Sequence, residues 1–297
     1  MTLKFGTAPD SWGVWLAEHP TQPLWPQFLD EAASTGHHLI ELGPYGYLPT
    51  DPGVLAHELS SRGQSLIAAT MVAENMHAPT HRADILAEVR KIATLASPLG
   101  AKYFVLMAEG YLDSEGNALT PTSLEGSDWT NFVDTCDEAG RLLVEEYGMV
   151  LAFHPHADSV VEYAWQVDKL LDDSDSRFTQ LCLDTGHYEY RDGDSAALLR
   201  ERFSRIPYLH LKSVEAAVRL RAMAEGLSFG DAVGLGVACE PSLGSVDFAA
   251  IAKAIEDINW NGFAIVEQDM FPLPALDIPA PIAKRSREFY NSLGWTN

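Results

Sequence analysis

Several short apolar runs in this 297-residue chain end in groups that bind metal ions or move protons. "MVLAFH" (149–154) ends in His154 and continues through Pro155 to His156. "TQLCLD" (179–184) closes on Asp184, with His187 three residues on. "YLHLK" (208–212) carries His210 and Lys212, and "GFAIVEQ" (262–268) carries Glu267, with Asp269 just beyond. "HLIELG" (38–43) carries Glu41. Charged groups are rarely buried unless they are paired or hold a metal. A single such His could be an ordinary core residue bonded to a carbonyl. Three polar ends on consecutive apolar runs call for a shared partner. A mixed nitrogen and oxygen set suits Mn²⁺, with Co²⁺, Zn²⁺, Fe²⁺ or Mg²⁺ as alternatives, and does not suit Ca²⁺. Asp184, His210 and Glu267 are therefore proposed ligands of one divalent ion. His154 is placed to be the fourth, with His156 and Glu162 as the other candidates.

For these ends to meet, the runs must be parallel strands. Eight candidates occur: 3–8, 38–43, 65–71, 102–107, 149–154, 179–184, 208–212 and 262–268. Each is short and mostly apolar, as strands covered on both faces are. Amphipathic segments lie between them. "DPGVLAHELSSRG" has Asp51 as cap, Pro52 in the first turn and Gly63 at the stop. "VVEYAWQVDKLLDD" predicts a helix from Val160. Eight strand-then-helix units in one chain predict a single (β/α)8 barrel over residues 1–297. A doubly wound open sheet is the alternative, but "FGTAPDSWG" stands where GxGxxG would follow the first strand. Two loops are long, Ala108–Ser127 after strand four and Ser213–Gly244 after strand seven, the latter with a helix around "SVEAAVRLRAMAEG". Loops after strands lie on the catalytic face of a barrel. Glu74, His77 and Glu109 also follow strand ends.

Composition narrows the function. Lys plus Arg is 20 and Asp plus Glu is 42, for a net charge of −22. Such a surface repels nucleic acid and anionic membranes. No run reaches the length of a membrane span, and "MTLKFGTAPDSW" lacks the pattern of a signal peptide, so a soluble cytoplasmic protein is expected. Cys136, Cys182 and Cys239 form no CxxC pair, and Cys182 reads as a buried thiol.

"LDTGH", "HLK" and "VEQD" resemble the xylose isomerase-like TIM barrels, the sugar isomerase/epimerase superfamily. That pattern places metal-binding Glu, Asp, His and Glu on strands five to eight, and the last three match Asp184, His210 and Glu267. His187 matches a position that contacts metal-bound substrate or water. At strand five "HPH" stands where Glu is usual, which resembles the inosose dehydratase branch, as does "ELGPYGYLP" after strand two. The resemblance implies an enzyme acting on a keto-sugar or keto-cyclitol. It would remove the proton beside the carbonyl through a metal-held enediolate. Elimination of water would follow, with His156 as acid for the leaving group. Reprotonation to an isomer or epimer is the alternative, and a non-catalytic sugar-binding barrel is a second one. Glu267, Glu41, His156 or Glu162 would act as base, with Lys212 and His187 neutralising charge. Trp12, Trp15, Tyr45 and Tyr47 could wall the pocket, and Glu162 and Glu240 could contact substrate hydroxyls. No Gly-rich phosphate loop is present, so the substrate is expected to be unphosphorylated, although Arg191, Arg219 and Arg221 lie in loops on the same face. Barrels of this kind often form homo-oligomers.

Overall fold

In a computed structural model that describes residues 3–112 and 118–295, the eight expected strands form one closed barrel. The middle of the loop after strand four, residues 113–117, lies outside the described residues. Strands one to eight are Lys4–Thr7, Leu39–Glu41, Ser65–Ala73, Tyr103–Ala108, Val150–Phe153, Thr179–Asp184, Tyr208–Leu211 and Phe263–Val266. Each pairs in parallel with the next, and strand one closes on strand eight with Thr7 opposite Val266. The open doubly wound sheet is thereby excluded. No helix among the described residues is long and apolar enough to cross a membrane.

Alternation along each strand builds the interior in layers. Ala152, Cys182, Tyr208 and Ile265 are buried together inside the barrel with Ile67 and Val105. Each lies two residues before a polar strand end: His154, Asp184, His210 and Glu267. The strand register therefore carries an apolar layer directly beneath the polar one. The other faces of the strands bury Phe104, Phe153, Leu183 and Leu211 against the helices.

The helices follow their sequence signals, with one correction. Asp51 caps the helix Pro52–Ser61 by accepting from Val54 N at 2.8 Å. The helix expected from Val160 starts instead at Ala164. Gln166 Oε1 accepts from the backbone N–H groups of Glu162 and Tyr163, each at 2.9 Å, which fixes the first turn there. Residues 160–163 are left as loop beside strand five. The long segment after strand seven carries helix Ala216–Glu225, a second helix Phe229–Gly234, and a two-residue antiparallel ribbon joining Ser213–Val214 to Ala238–Cys239.

Candidate metal centre

His154, Asp184, His210 and Glu267 converge at the carboxyl end of the barrel, where one ligand atom from each lies within 4.8 Å of the others. All four are buried. His154 and Glu267 stand one residue past their strands, Asp184 ends its strand, and His210 lies inside strand seven.

Local chemistry explains the "LDTGH" spacing. Asp184 caps the short helix Thr185–Tyr190, its Oδ1 accepting from Gly186 N and His187 N at 2.8 Å each. Oδ2 is left facing the site, 3.4 Å from His154 Nε2 and 3.2 Å from Lys212 Nζ. A side chain on Gly186 would collide with Lys212, since a Cβ there would fall 2.6 Å from its Cγ. The motif thus brings the helix start against strand seven.

His210 is oriented from behind. Its Nε2 lies 3.2 Å from Glu41 Oε2, which also accepts from Tyr208 Oη at 2.8 Å, while Glu41 Oε1 accepts from Thr70 Oγ1 at 2.6 Å. Both Glu41 oxygens are engaged, and one of them supports His210. His210 Nδ1 points to the site, 3.0 Å from Glu267 Oε2 and 3.8 Å from Asp184 Oδ2.

Lys212 sits beside the cluster. Its Nζ is 3.2 Å from Glu267 Oε2, 2.8 Å from Asp269 Oδ2 and 3.2 Å from His187 Nε2. Burial opposes the charges here, but mutual attraction wins. Lys212 and His210 hold Glu267 at about 2, and Lys212, His187 and His154 hold Asp184 well below the usual carboxylate range. Asp184, Asp269 and Glu267 raise the Lys212 ammonium in turn.

The donor set fits a divalent cation. Asp184, Glu267 and Asp269 are buried carboxylates around the ammonium of Lys212, and a fourth, Glu41, is buried behind His210. Buried charge needs compensation, and a cation supplies it. His154 Nδ1 and His210 Nδ1 are buried with no hydrogen-bond partner. His210 Nδ1 and Glu267 Oε2 lie 3.0 Å apart, close enough for both to reach one ion. The carboxylate behind His210 is the outer-shell partner that metal-bound imidazoles usually have. Cys182 also approaches His154 and His210, but burial raises its thiol to about 12, so it belongs to the floor.

The remaining predicted residues take various places. His156 lies against His187, the two rings tilted by 41° with centres 3.8 Å apart. Its Nδ1 donates to Ala157 O at 2.7 Å, which leaves Nε2 unprotonated in the neutral ring. Burial, with His154 and Lys212 nearby, lowers His156 to about 3. Trp15 stacks on Phe271 at 4.9 Å and packs against the residues around Phe229. Trp12 and Tyr47 are core residues: Trp12 is fully buried, edge-on to Phe28, and its Nε1 donates to Glu31 at 2.7 Å. Tyr45 lies under the ammonium of Lys91 at 4.3 Å. Glu240 binds Arg285 through both oxygens at 2.7 Å. Glu162 binds Arg191 at 2.6 Å and stays out of the four-residue cluster. Glu74 is exposed, and neither it nor His77 joins a metal-type cluster among the described residues.

Asp10 was missed by the sequence reading. It follows strand one and feels Glu267, Asp269 and Lys212; burial and the two carboxylates raise it well above the usual range. The signal was available, because "TAPDSW" places a carboxylate after the first strand.

Fold and cluster together define a (β/α)8 barrel with a metal-type centre at its catalytic end. The chain belongs to the xylose isomerase-like TIM barrel family, whose pattern matches residues 29–293. It is similar to an inosose dehydratase of Geobacillus kaustophilus, at 31% identity over 98% of this chain and 94% of the relative. Among solved structures it resembles the IOLI protein with a bound zinc atom, with a TM-score of 0.74, 16% identity and coverage of 99% and 100% of the two chains. It also resembles a D-psicose 3-epimerase from Clostridium cellulolyticum, with a TM-score of 0.73, 14% identity and the same coverage. The chain is an enzyme of this superfamily of lyases and isomerases/epimerases.

Proposed function

We propose that the enzyme dehydrates an unphosphorylated keto-cyclitol of the inosose kind, with a divalent ion held by His154, Asp184, His210 and Glu267. The observation that carries this is the convergence of those four side chains in a chain 31% identical to an inosose dehydratase. Manganese is the first metal to test. A bound divalent ion would supply a Lewis acid that acidifies the carbon beside the substrate carbonyl.

The chain's own residues account for the proton movements. His156 is uncharged with Nε2 free, so it takes the proton from the carbon beside the carbonyl. It then returns that proton to the hydroxyl on the next carbon. That C–O bond breaks, water leaves, and the resulting enol becomes a diketone. His156 thus enters as base, where the sequence reading offered it mainly as acid. Lys212, held among Asp184, Glu267 and Asp269, faces the negative charge that develops on the substrate oxygens. His187 joins it through Nε2. Glu41 fixes the ring of His210 and acts as a positioning residue. Trp15 supplies an apolar wall.

The arginines support an uncharged substrate. Arg191 is paired with Asp158 and Glu162, Arg219 with Asp192, and Arg221 with Glu225. None is left to hold a phosphate.

Mass spectrometry of manganese-loaded enzyme with keto-inositols in D₂O tests the reading. Release of water to give a diketone is expected. Deuterium gained with every oxygen retained would make the enzyme an epimerase or isomerase and would overturn the dehydratase assignment.

A further inference from the structure

Phe229 opens the second helix of the long segment after strand seven. It is 4% exposed. Its ring centre lies 4.6 Å from that of His187 and 5.4 Å from that of His156. Both imidazoles stand beside the four-residue cluster and outside it. Tyr190 backs the ring edge-on at 5.1 Å. An aromatic ring therefore lies against the two imidazoles beside the metal-type cluster.

Something fixed must hold that ring in place, because the segment bearing it is long. Phe229 N donates to Asp158 Oδ2. Asp158 has a φ of +63°, a left-handed conformation that Asp tolerates better than most residues. Its Oδ1 accepts from Arg191 Nη2 at 2.6 Å and from Tyr111 Oη at 3.1 Å. Arg191 Nε donates to Glu162 Oε2 at 2.6 Å. The Arg191 side chain is 10% exposed and that of Glu162 4%. Exposed ion pairs contribute little, whereas losing one partner of a buried set is costly. This set ties together the loop after strand four, the "HPH" loop, the short helix after strand six and the segment carrying Phe229. None of its members belongs to the metal-type cluster.

We propose that Phe229 is the specificity-determining cover of the site, latched in place by Asp158 and Arg191. Its ring meets the C–H face of a compact cyclic polyol and leaves no room there for a substituted one. The inference rests on the keto-cyclitol reading for its substrate but not for its latch.

Two measurements test it. The first compares kcat/KM of metal-loaded wild type and Phe229→Ala for a keto-inositol and for its O-methyl ether. The wild type should prefer the smaller compound. Phe229→Ala should lower that preference at least tenfold, mainly through KM, within the range that one methyl group commands in an apolar pocket. An unchanged preference overturns the specificity role. The second is hydrogen exchange of residues 226–236, which needs no substrate. Asp158→Gly keeps the left-handed backbone while removing the carboxylate, and Arg191→Gln removes the other half of the pair. Both should speed exchange there at least tenfold with the barrel strands unchanged. Unchanged exchange overturns the latch, and with it the cover. If the wild type acts on neither compound while exchange responds as expected, the keto-cyclitol reading and the substrate preference fall, and the latched cover stands.

Discussion

The floor and the mouth of the barrel are made by the same strands, two residues apart. Ala152, Cys182, Tyr208 and Ile265 lie below, and His154, Asp184, His210 and Glu267 lie above. The floor is held by close packing, with Tyr103 and Tyr208 rings 4.7 Å apart. The mouth gathers carboxylates and imidazoles at a cost in desolvation that only mutual pairing or a cation offsets. Tyr208 joins the layers, its ring in the floor and its hydroxyl on Glu41. The contrast teaches that stability and chemistry are separated by one step of strand alternation. Substitutions in the two layers should therefore fail in different ways.

The largest expected effect is in the mouth. Asp184→Asn should lower turnover at least about a thousandfold, the several kcal/mol a Lewis acid contributes, with loss of bound metal. Steady-state kinetics and calorimetry would show it. In the floor, Ile265→Ala should cost about 2–5 kcal/mol of stability in denaturant unfolding while leaving metal content unchanged. A drop in metal content with intact stability would reverse the assignment of layers. Glu41→Gln tests the link between layers. It should weaken metal binding roughly 10–100-fold in calorimetric titration, as loss of an outer-shell partner does.

A separate effect is a pH slope far from the mouth. His37, just before strand two, is fully buried, and burial with Arg287 and His38 nearby lowers it to about 3. Its folded pKa is depressed, so below the unfolded value of about 6.5 the unfolded chain binds the extra proton. The stability it contributes is complete above about pH 6.5 and is lost as pH falls towards 3, by up to about 1.4 kcal/mol per pH unit. His37→Gln should flatten that slope in unfolding experiments across this window.

Much of the barrel was legible because buried parallel strands are short apolar runs, and polar residues at their ends stand out. Asp184, His210 and Glu267 could be picked from sequence for that reason. Roles that depend on which nitrogen or oxygen faces which neighbour were not legible. That Thr70, Tyr208 and His210 meet on the oxygens of Glu41 is one such arrangement. Trp12 looked like a pocket wall, yet a fully buried indole bonded to Glu31 is part of the core. Phe229 had no signal at all, since its place over His187 comes from a segment that folds back through the Asp158 contact. The start of the helix at Ala164 depended on Gln166 reaching back to the chain before it.

The chemistry proposed for the mouth depends on one divalent ion held by residues from four consecutive strands. Metal analysis by inductively coupled plasma mass spectrometry, on manganese-loaded protein after exhaustive dialysis, tests it most directly. One equivalent in the wild type and almost none in a folded Asp184→Asn/His210→Ala variant is the predicted result. Equal metal in both proteins, or none in the wild type, would contradict it.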